Sequence, residues 1–192
     1  RIEEVAVSAG SVDISGAMPV AIVEASGYTR MMLSLGGQIQ GSDLGGAVFC
    51  CYPDEYINCT FSNNPGGGLM VDQSGDPTAE NCIFWGNTPE QIMEDPNQPG
   101  GYVSVRYSDV QGGWSGEGNI NADPLFVQPM ADDLRLGFGS PCVNAGDNDA
   151  VPSYIEFDIL GNDRFIDGIV DMGAYEGQYE VLPPAAVEYD LD

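Results

Sequence analysis

The segment INCTFSNN, residues 57–64, is echoed 23 residues later by ENCIFWGN, residues 80–87. In both copies an apolar residue, Phe61 or Phe84, is followed two places later by Asn or Gly. The same signature occurs five times, with spacings of 25, 22, 23 and 26 residues between the apolar positions Ile14, Ile39, Phe61, Phe84 and Val110. A spacing near 23 is typical of one coil of a solenoid, in which each coil packs against its neighbours.

Each copy predicts a short strand that ends at a tight turn, because Gly and Asn adopt positive φ more readily than other residues. Two places before each apolar position, on the same strand face, stand small or medium-sized residues: Val12, Gly37, Cys59, Cys82 and Ser108. Such residues suit an interior column of parallel strands stacked about 4.8 Å apart. We therefore predict an all-β chain that begins with a parallel solenoid of about five coils. The alternative is a β-sandwich, although the repeat region lacks the Asn-Gly and Asp-Gly turns that favour hairpins.

The charge of the chain is strongly one-sided. It has 30 Asp and Glu residues, five Arg, no Lys and no His, which gives a net charge of −25. Binding to nucleic acid or to an anionic membrane surface is not expected, since phosphate contacts require Lys and Arg. The lack of His excludes Ser-His-Asp and Cys-His catalytic sites and most zinc sites. A saline or calcium-containing medium would screen the repulsion, and plain solubility is the alternative explanation for the charge.

The chain divides into three parts by composition. Residues 1–114 contain the repeat, residues 115–177 contain a motif-rich region without it, and residues 178–192 form an acidic, proline-containing segment typical of a linker. No apolar run is long enough to span a membrane, and the opening RIEEVAVSAG lacks the apolar core of a signal peptide. Because it also starts without Met, we interpret the chain as a processed or excised part of a longer protein.

Four motifs follow the repeat in order: GNINADPLF (118–126), DLRLGFGSPCVNAG (133–146), DILGNDRFIDG (158–168) and VDMGAYE (170–176). With the preceding VRYSDVQGG, this region closely resembles the ending of bacterial surface proteins of the right-handed parallel β-helix type, those with a variable C-terminal anchor (choice-of-anchor). The resemblance implies a right-handed parallel β-helix, an irregular cap over its C-terminal end, and an extracellular or cell-surface location. It implies no particular activity.

A cap is also expected on physical grounds, because the open end of a solenoid exposes unpaired backbone groups and apolar core. The apolar residues expected to contact the last coil are Leu125, Phe126, Leu134, Leu136, Val143, Val170, Met172 and Tyr175. The N-terminal end has no comparable polar cap. We expect upstream coils or another molecule to stack there.

A calcium site is predicted in the stretch from Asn144 to Gly168. Its oxygen-bearing candidates are Asp147, Asn148, Asp149, Asp158, Asn162, Asp163 and Asp167. Dense carboxylate and amide oxygens in a glycine-containing loop favour calcium over other metals. The EF-hand spacing is not met, because Val151 and Pro152 replace its fifth ligand and its glycine. The alternative is that these side chains only satisfy backbone groups of the loop.

The five cysteines contain no Cys-x-x-Cys pair, so a structural metal held by thiolates is not expected. Cys59 and Cys82 should stack one coil apart. We favour two buried thiols over a disulfide, because in-register parallel side chains give a poor disulfide dihedral. Cys142 is a candidate disulfide partner for Cys50 or Cys51.

Two functions follow as hypotheses. The first is a secreted or surface-displayed structural or adhesion module that associates with itself through the solenoid ends, or with other surface or matrix components. The second is a β-helix that binds or cleaves polysaccharide, using carboxylates from Asp54, Asp72 and Asp76 in a hydrolase. A lyase is disfavoured because the arginines are scattered, at Arg30, Arg106, Arg135 and Arg164. We favour the first hypothesis, and we assign no catalytic or cofactor-binding residue.

Overall fold

The computed structural model describes residues 55–64, 67–129, 133–166 and 168–177, together with the backbone of three earlier strands. These strands are β1 (Ala21–Ala25), β2 (Tyr28–Met32) and β3 (Val48–Cys50). The described part of the chain is all-β, as predicted: it contains no α-helix, and a short 3-10 turn is formed by Asn148–Ala150. None of it forms a helix that is long and apolar enough to cross a membrane.

Ten further strands follow, and each is at most four residues long. They are β4 (Glu55–Ile57), β5 (Thr60–Ser62), β6 (Leu69–Val71), β7 (Thr78–Glu80), β8 (Ile83–Trp85), β9 (Ile92–Glu94), β10 (Ser104–Arg106), β11 (Asp109–Val110), β12 (Phe126–Gln128) and β13 (Asp133–Leu136). Strands β12 and β13 pair antiparallel with each other.

Strands β4 to β11 are distributed among three sheets, and consecutive strands belong to different sheets. Strand β7 lies between β4 and β10, β8 lies between β5 and β11, and β6 lies between β3 and β9, all in parallel pairs. Paired residues are 23 apart in sequence between β4 and β7, β5 and β8, and β6 and β9. They are 26 apart where β10 and β11 are added. The sequence repeat is therefore the pairing register of the sheets.

The predicted interior positions are buried. Phe61 pairs with Phe84, and Phe84 pairs with Val110. The two phenyl rings are stacked nearly parallel, with centroids 4.5 Å apart. The second column, Cys59, Cys82 and Ser108, is fully buried as well. The copies predicted around Ile14 and Ile39 lie outside the described residues.

The turns show why Asn and Gly recur. Asn63, Gly86 and Gly112, which follow the apolar anchors, have positive φ as predicted. A second set of left-handed residues precedes β5, β8 and β11 and was not predicted: Asn58, Asn81 and Tyr107. The repeated Asn-Cys pair therefore combines a left-handed turn residue with an interior side chain.

One part of the repeat region departs from the parallel prediction. Strands β1 and β2 pair antiparallel, and Ala25 pairs with Tyr28. Only Ser26 and Gly27 separate the two strands in sequence, and a Ser-Gly pair is a turn signal. The 23-residue period does not reveal this local signal. Beyond the hairpin, β2 pairs in parallel with β4.

Two later parts of the chain cover the strands. Residues 117–122 lie along the last strands, where Tyr107 and Val110 donate backbone hydrogen bonds to Glu117 and Ile120, at 2.8 and 3.0 Å. Residues 140–166 and 168–177, which we call the C-terminal segment, lie on the outer face of the sheet formed by β5, β8 and β11. Ile83 on that face packs with Leu136, Cys142 and Met172.

Candidate functional site in the C-terminal segment

The C-terminal segment is attached to the sheets through side chains of the repeat itself. Asn58 Nδ2 donates to the Asp171 carbonyl at 3.0 Å, and the Thr60 hydroxyl accepts from the Ala174 N–H at 3.0 Å. Asn81 forms two bonds with the backbone of Asp147, at 2.9 and 2.7 Å. The left-handed turn residues therefore have a second role, which is to position the segment that contains the predicted site.

The first predicted calcium ligands are used within the loop. The Asp147 carboxylate accepts from the Asp149 N–H at 3.0 Å and caps the 3-10 turn. The Asn148 side chain donates to the Gly168 carbonyl at 2.7 Å and accepts from the Val170 N–H at 2.9 Å. Asp149 is exposed. These contacts are those expected of side chains that satisfy the loop backbone.

The remaining predicted ligands are divided between the interior and the surface. Asp158 is buried, and its two oxygens accept from the amides of Leu160, Asn162 and Glu176, at 2.8 to 3.0 Å, and from the Asn162 side chain. Asp163 is exposed, and Asp167 lies outside the described residues. Within the described residues, no three Asp, Glu, Cys or His side chains converge in a way that could hold a metal ion. The calcium site stays a prediction.

The C-terminal segment encloses a buried ionic cluster, formed by Asp158, Arg164, Asp171 and Glu176, all at most 6% exposed. Arg164 Nη1 lies 3.2 Å from Glu176 Oε2, and the guanidinium also donates to the carbonyls of Gly173 and Ala174. The other Glu176 oxygen accepts from the Asp171 N–H at 3.0 Å. The ionic cluster thus contains three carboxyl groups and one guanidinium.

Burial dominates the electrostatics of this ionic cluster. It raises the pKa of Glu176 from 4.5 to about 8; the Asp171 charge adds to this rise, and Arg164 opposes it. Asp171 is held from two sides, because its oxygens accept from the amides of Asn144 at 2.7 Å and Gly177 at 2.6 Å. The ionic cluster therefore fixes three stretches of the C-terminal segment relative to one another, and it carries a group that titrates near neutral pH.

A second buried carboxylate lies where the C-terminal segment meets the last strand. Asp109 Oδ2 accepts from the Cys142 thiol at 3.3 Å, and its other oxygen accepts from the Ala122 N–H at 3.2 Å. Burial raises the pKa of Asp109 from 3.8 to about 6. Burial, followed by the Asp109 charge, raises the pKa of the Cys142 thiol far above its usual range. Cys142 is a free thiol; Cys51 and the side chain of Cys50, its candidate partners, lie outside the described residues.

Cys59 and Cys82 are buried thiols that are not joined by a disulfide, as predicted. Cys82 Sγ donates to the carbonyls of Tyr56 and Glu80, at 3.4 and 3.3 Å. Burial and the neighbouring Cys59 raise the pKa of Cys82 well above its usual range. These thiols fill the interior and are not poised to react.

The carboxylates considered for glycan cleavage serve turns. Asp72 is buried and accepts from the Ser74 N–H at 2.7 Å, in the turn that follows β6. Asp76 accepts from the Tyr102 N–H at 3.3 Å, and the Tyr102 side chain is 69% exposed. Asp54 lies outside the described residues.

Sequence reasoning missed Arg164 and Glu176 as partners, although a signal was present. The four members of the ionic cluster all fall within two of the motifs that carry the resemblance, DILGNDRFIDG and VDMGAYE. A lone Arg and a Glu in motifs that also carry apolar residues indicate a buried ion pair, since charged residues are rarely buried unless paired. A scan against protein-family models and a search of curated proteins gave no match to this chain.

Proposed function

We propose that this chain is a right-handed parallel β-helix module, covered by its own C-terminal segment, which serves a secreted or surface-displayed protein in a structural or adhesive role. One observation carries the proposal: the same 23-residue offset relates paired strands in three different sheets. Strands that change sheet in the same order at each repeat, with one offset shared by all three sheets within a repeat, are what a continuous coil of three strands per turn requires.

The chemistry of the described residues supports a role that rests on backbone pairing and stacking. The thiols, asparagines and most carboxylates that could react or bind are already engaged in turns, interior columns or the ionic cluster. Asn87, for example, accepts from the backbone and side chain of Asn64 and donates to the Phe61 carbonyl at 2.9 Å. The net charge of −25 suits a saline or calcium-containing extracellular medium, in which the repulsion is screened.

Self-association through the ends of the coil is part of the proposal. Two of the three sheets continue to β10 and β11, whereas the third ends at β9 in the described part of the chain. The outer edge of β9 therefore has no strand partner among the described residues. Backbone groups at such an edge can pair with a strand of a second molecule.

The coil is tested by a deletion in register. Removal of residues 62–84 joins Phe61 to Trp85 and takes out one 23-residue repeat. We expect a protein that still unfolds cooperatively, at a lower temperature, with the circular dichroism of a β protein. Removal of residues 62–73 is the control, since it places the following strands out of register. Equal loss of cooperative unfolding in both deletions would contradict the coil.

The assembly part is tested by multi-angle light scattering and electron microscopy over a range of protein concentrations, with and without calcium. We expect oligomers or short filaments that grow with concentration. A protein that stays monomeric at all concentrations, whether or not calcium is present, would exclude assembly. It would leave the coil itself untouched.

Polysaccharide binding on the flank is the second candidate, and it is favoured by Tyr102. Its side chain is largely exposed, and an exposed aromatic ring is suited to stacking on a sugar ring. Binding to a panel of polysaccharides, measured by affinity electrophoresis, should be lost in Tyr102→Ala and kept in Tyr154→Ala, which removes another exposed tyrosine. Absence of binding, and of new reducing ends, across the panel would remove this candidate.

A further inference from the structure

Asp109 lies where three parts of the molecule meet. It belongs to β11, and its side chain is fully buried on the outer face of the sheet. One oxygen accepts from Ala122 of the stretch that covers the last strands, and the other accepts from Cys142 of the C-terminal segment. Asp109 thus joins the sheet to both covering parts, and we call this junction the Asp109 seam.

The surroundings of Asp109 favour a neutral carboxyl. Ile83, Leu136, Cys142 and Met172 form the apolar cluster of this face. No ion pair to Asp109 is found among the described residues. The ionisable groups that act on it are the Cys142 thiol and the Asp123 carboxylate, and the Asp171 charge also acts on that thiol. An ionised Asp109 carboxylate would accept two hydrogen bonds, one of them from a weak S–H donor. The ionisable groups named above are all acids, so none of them supplies a compensating positive charge.

We propose that Asp109 is a proton-operated joint, which closes the seam while its carboxyl is neutral and loosens the seam when it ionises. A neutral carboxyl still accepts from the Ala122 N–H, and its own O–H can donate to the Cys142 sulfur. After the proton leaves, an anion remains in an apolar site, and water must enter to solvate it. The two covering parts would then separate locally from the sheet.

The direction of the effect follows from the electrostatics. Burial, the largest cause, raises the pKa of Asp109 to about 6, and Asp123 adds to the rise; the bonds from Ala122 and Cys142 oppose it. The folded protein therefore binds this proton more tightly than the unfolded chain, whose aspartates titrate near pH 4. The stabilisation is complete below about pH 4 and is lost as the pH rises through about 6.

Amide hydrogen exchange measured by NMR tests the joint in the intact protein. The seam is followed through the N–H groups of Ile120 and Ala122, which bond to Ser108 and Asp109, and of Gly173, which bonds to the Asn81 carbonyl. The N–H of Ile83, bonded to Cys59 within the sheets, is the internal reference. We expect seam protection factors, corrected for intrinsic exchange, to fall at least about tenfold between pH 5 and pH 8, while the Ile83 protection factor stays constant.

Asp109→Asn provides the matched variant, and Asp163→Asn, which changes an exposed aspartate of the C-terminal segment, is its control. The seam of Asp109→Asn should keep one protection level from pH 5 to pH 8, whereas Asp163→Asn should behave as the unmodified protein does. A pH-independent seam in the unmodified protein, or an unchanged profile in Asp109→Asn, would overturn the proposal. If Asp109→Asn does not fold, the carbon-13 titration of the Asp109 carboxyl decides. A midpoint near 6 supports the joint, and one below about 4.5 overturns it.

Discussion

Arg164 is a fully buried arginine surrounded by acids of its own segment. It pairs with Glu176 and donates to two backbone carbonyls, while its Nε has no hydrogen-bond partner in the described structure. Burying a charge is costly unless partners compensate for the lost water, and here the compensation is mutual. The buried guanidinium and the buried Glu176 side chain therefore each compensate for the water that the other has lost.

Replacement of Arg164 by Met should therefore destabilise the C-terminal segment by about 3–5 kcal/mol at pH 9, because the ionised Glu176 carboxylate loses its cation and stays buried. Urea unfolding at pH 9 measures the loss. Arg135→Met is the control, since Arg135 pairs with Asp133 on the surface, where its side chain is 55% exposed. A loss in Arg164→Met no larger than in Arg135→Met would contradict a structural role for the ionic cluster.

Glu176 should make stability depend on pH between about pH 4.5 and pH 8. Its pKa in the folded protein is about 8, above the ordinary 4.5, so the proton stabilises the fold at acid pH and this contribution is lost as pH rises through about 8. We expect Glu176→Gln, which mimics the protonated acid, to be about 2 kcal/mol more stable than the unmodified protein at pH 9 and similar at pH 5.

Thermal unfolding at the two pH values measures this difference, and Glu156→Gln, at an exposed position of the same segment, is the control. The idea fails if Glu176→Gln and the unmodified protein lose stability equally between pH 5 and pH 9.

At the scale of strands, the sequence repeat was a reliable guide where each copy kept both an apolar anchor and a turn residue. Phe61, Phe84 and Val110 met these conditions, and the sheets follow their spacing. The strands β6 and β9 carry the same 23-residue offset but no shared signature, since LMV and IME resemble many apolar runs. The 23-residue period predicts which residues of β6 and β9 would pair, but it does not predict that strands form there.

For a related reason, the contacts on the outer face of the sheet formed by β5, β8 and β11 could not be predicted from the sequence. Thr60, Ile83 and Asp109 occupy equivalent outward positions but differ in chemistry. Thr60 accepts a backbone hydrogen bond from the C-terminal segment, Ile83 packs in an apolar cluster, and Asp109 accepts from a thiol. Pattern analysis detects positions that face a common environment. A threonine, an isoleucine and an aspartate at one repeat position give no such pattern.

Gly173 shows how closely the C-terminal segment approaches the strands. Its φ is +92°, and a Cβ placed there would lie 2.7 Å from the end of the Ile83 side chain and 2.8 Å from the Thr60 hydroxyl. Gly168 has a similar φ of +86° with open space around it. An alanine at either position would have a strained positive φ, but only at Gly173 would its Cβ also clash with neighbouring side chains.

We therefore expect Gly168→Ala to lower stability by about 1 kcal/mol and Gly173→Ala by about 2–4 kcal/mol. Urea unfolding of the two variants side by side isolates the packing contribution, because the cost of positive φ is common to both. Equal losses would mean that the segment does not press on β5 and β8 as closely as the structure indicates.

Across the chain, charge repulsion adds to the conformational entropy that opposes folding. With a net charge of −25 and only five arginines, the chain holds few attractive pairs, and two of its arginines, Arg106 and Arg135, are used on the surface. Pairing and stacking are short-range forces that salt hardly changes, whereas repulsion is long-range and screened. Ionic strength therefore separates the two contributions.

The melting temperature should rise by several degrees when sodium chloride is increased from 10 mM to 500 mM, because screening relieves repulsion in the compact state more than in the unfolded chain. Calcium added at matched ionic strength distinguishes screening from a specific site. A predicted site formed by residues such as Asp147 and Asp149 would raise the melting temperature further and saturate, and Asp149→Asn would weaken that response. The same titration with magnesium is the comparison. If the melting temperature depends on calcium in the same way as it depends on magnesium, the effect is screening alone and the site is excluded. A melting temperature that is flat in salt would contradict the premise that repulsion limits this fold.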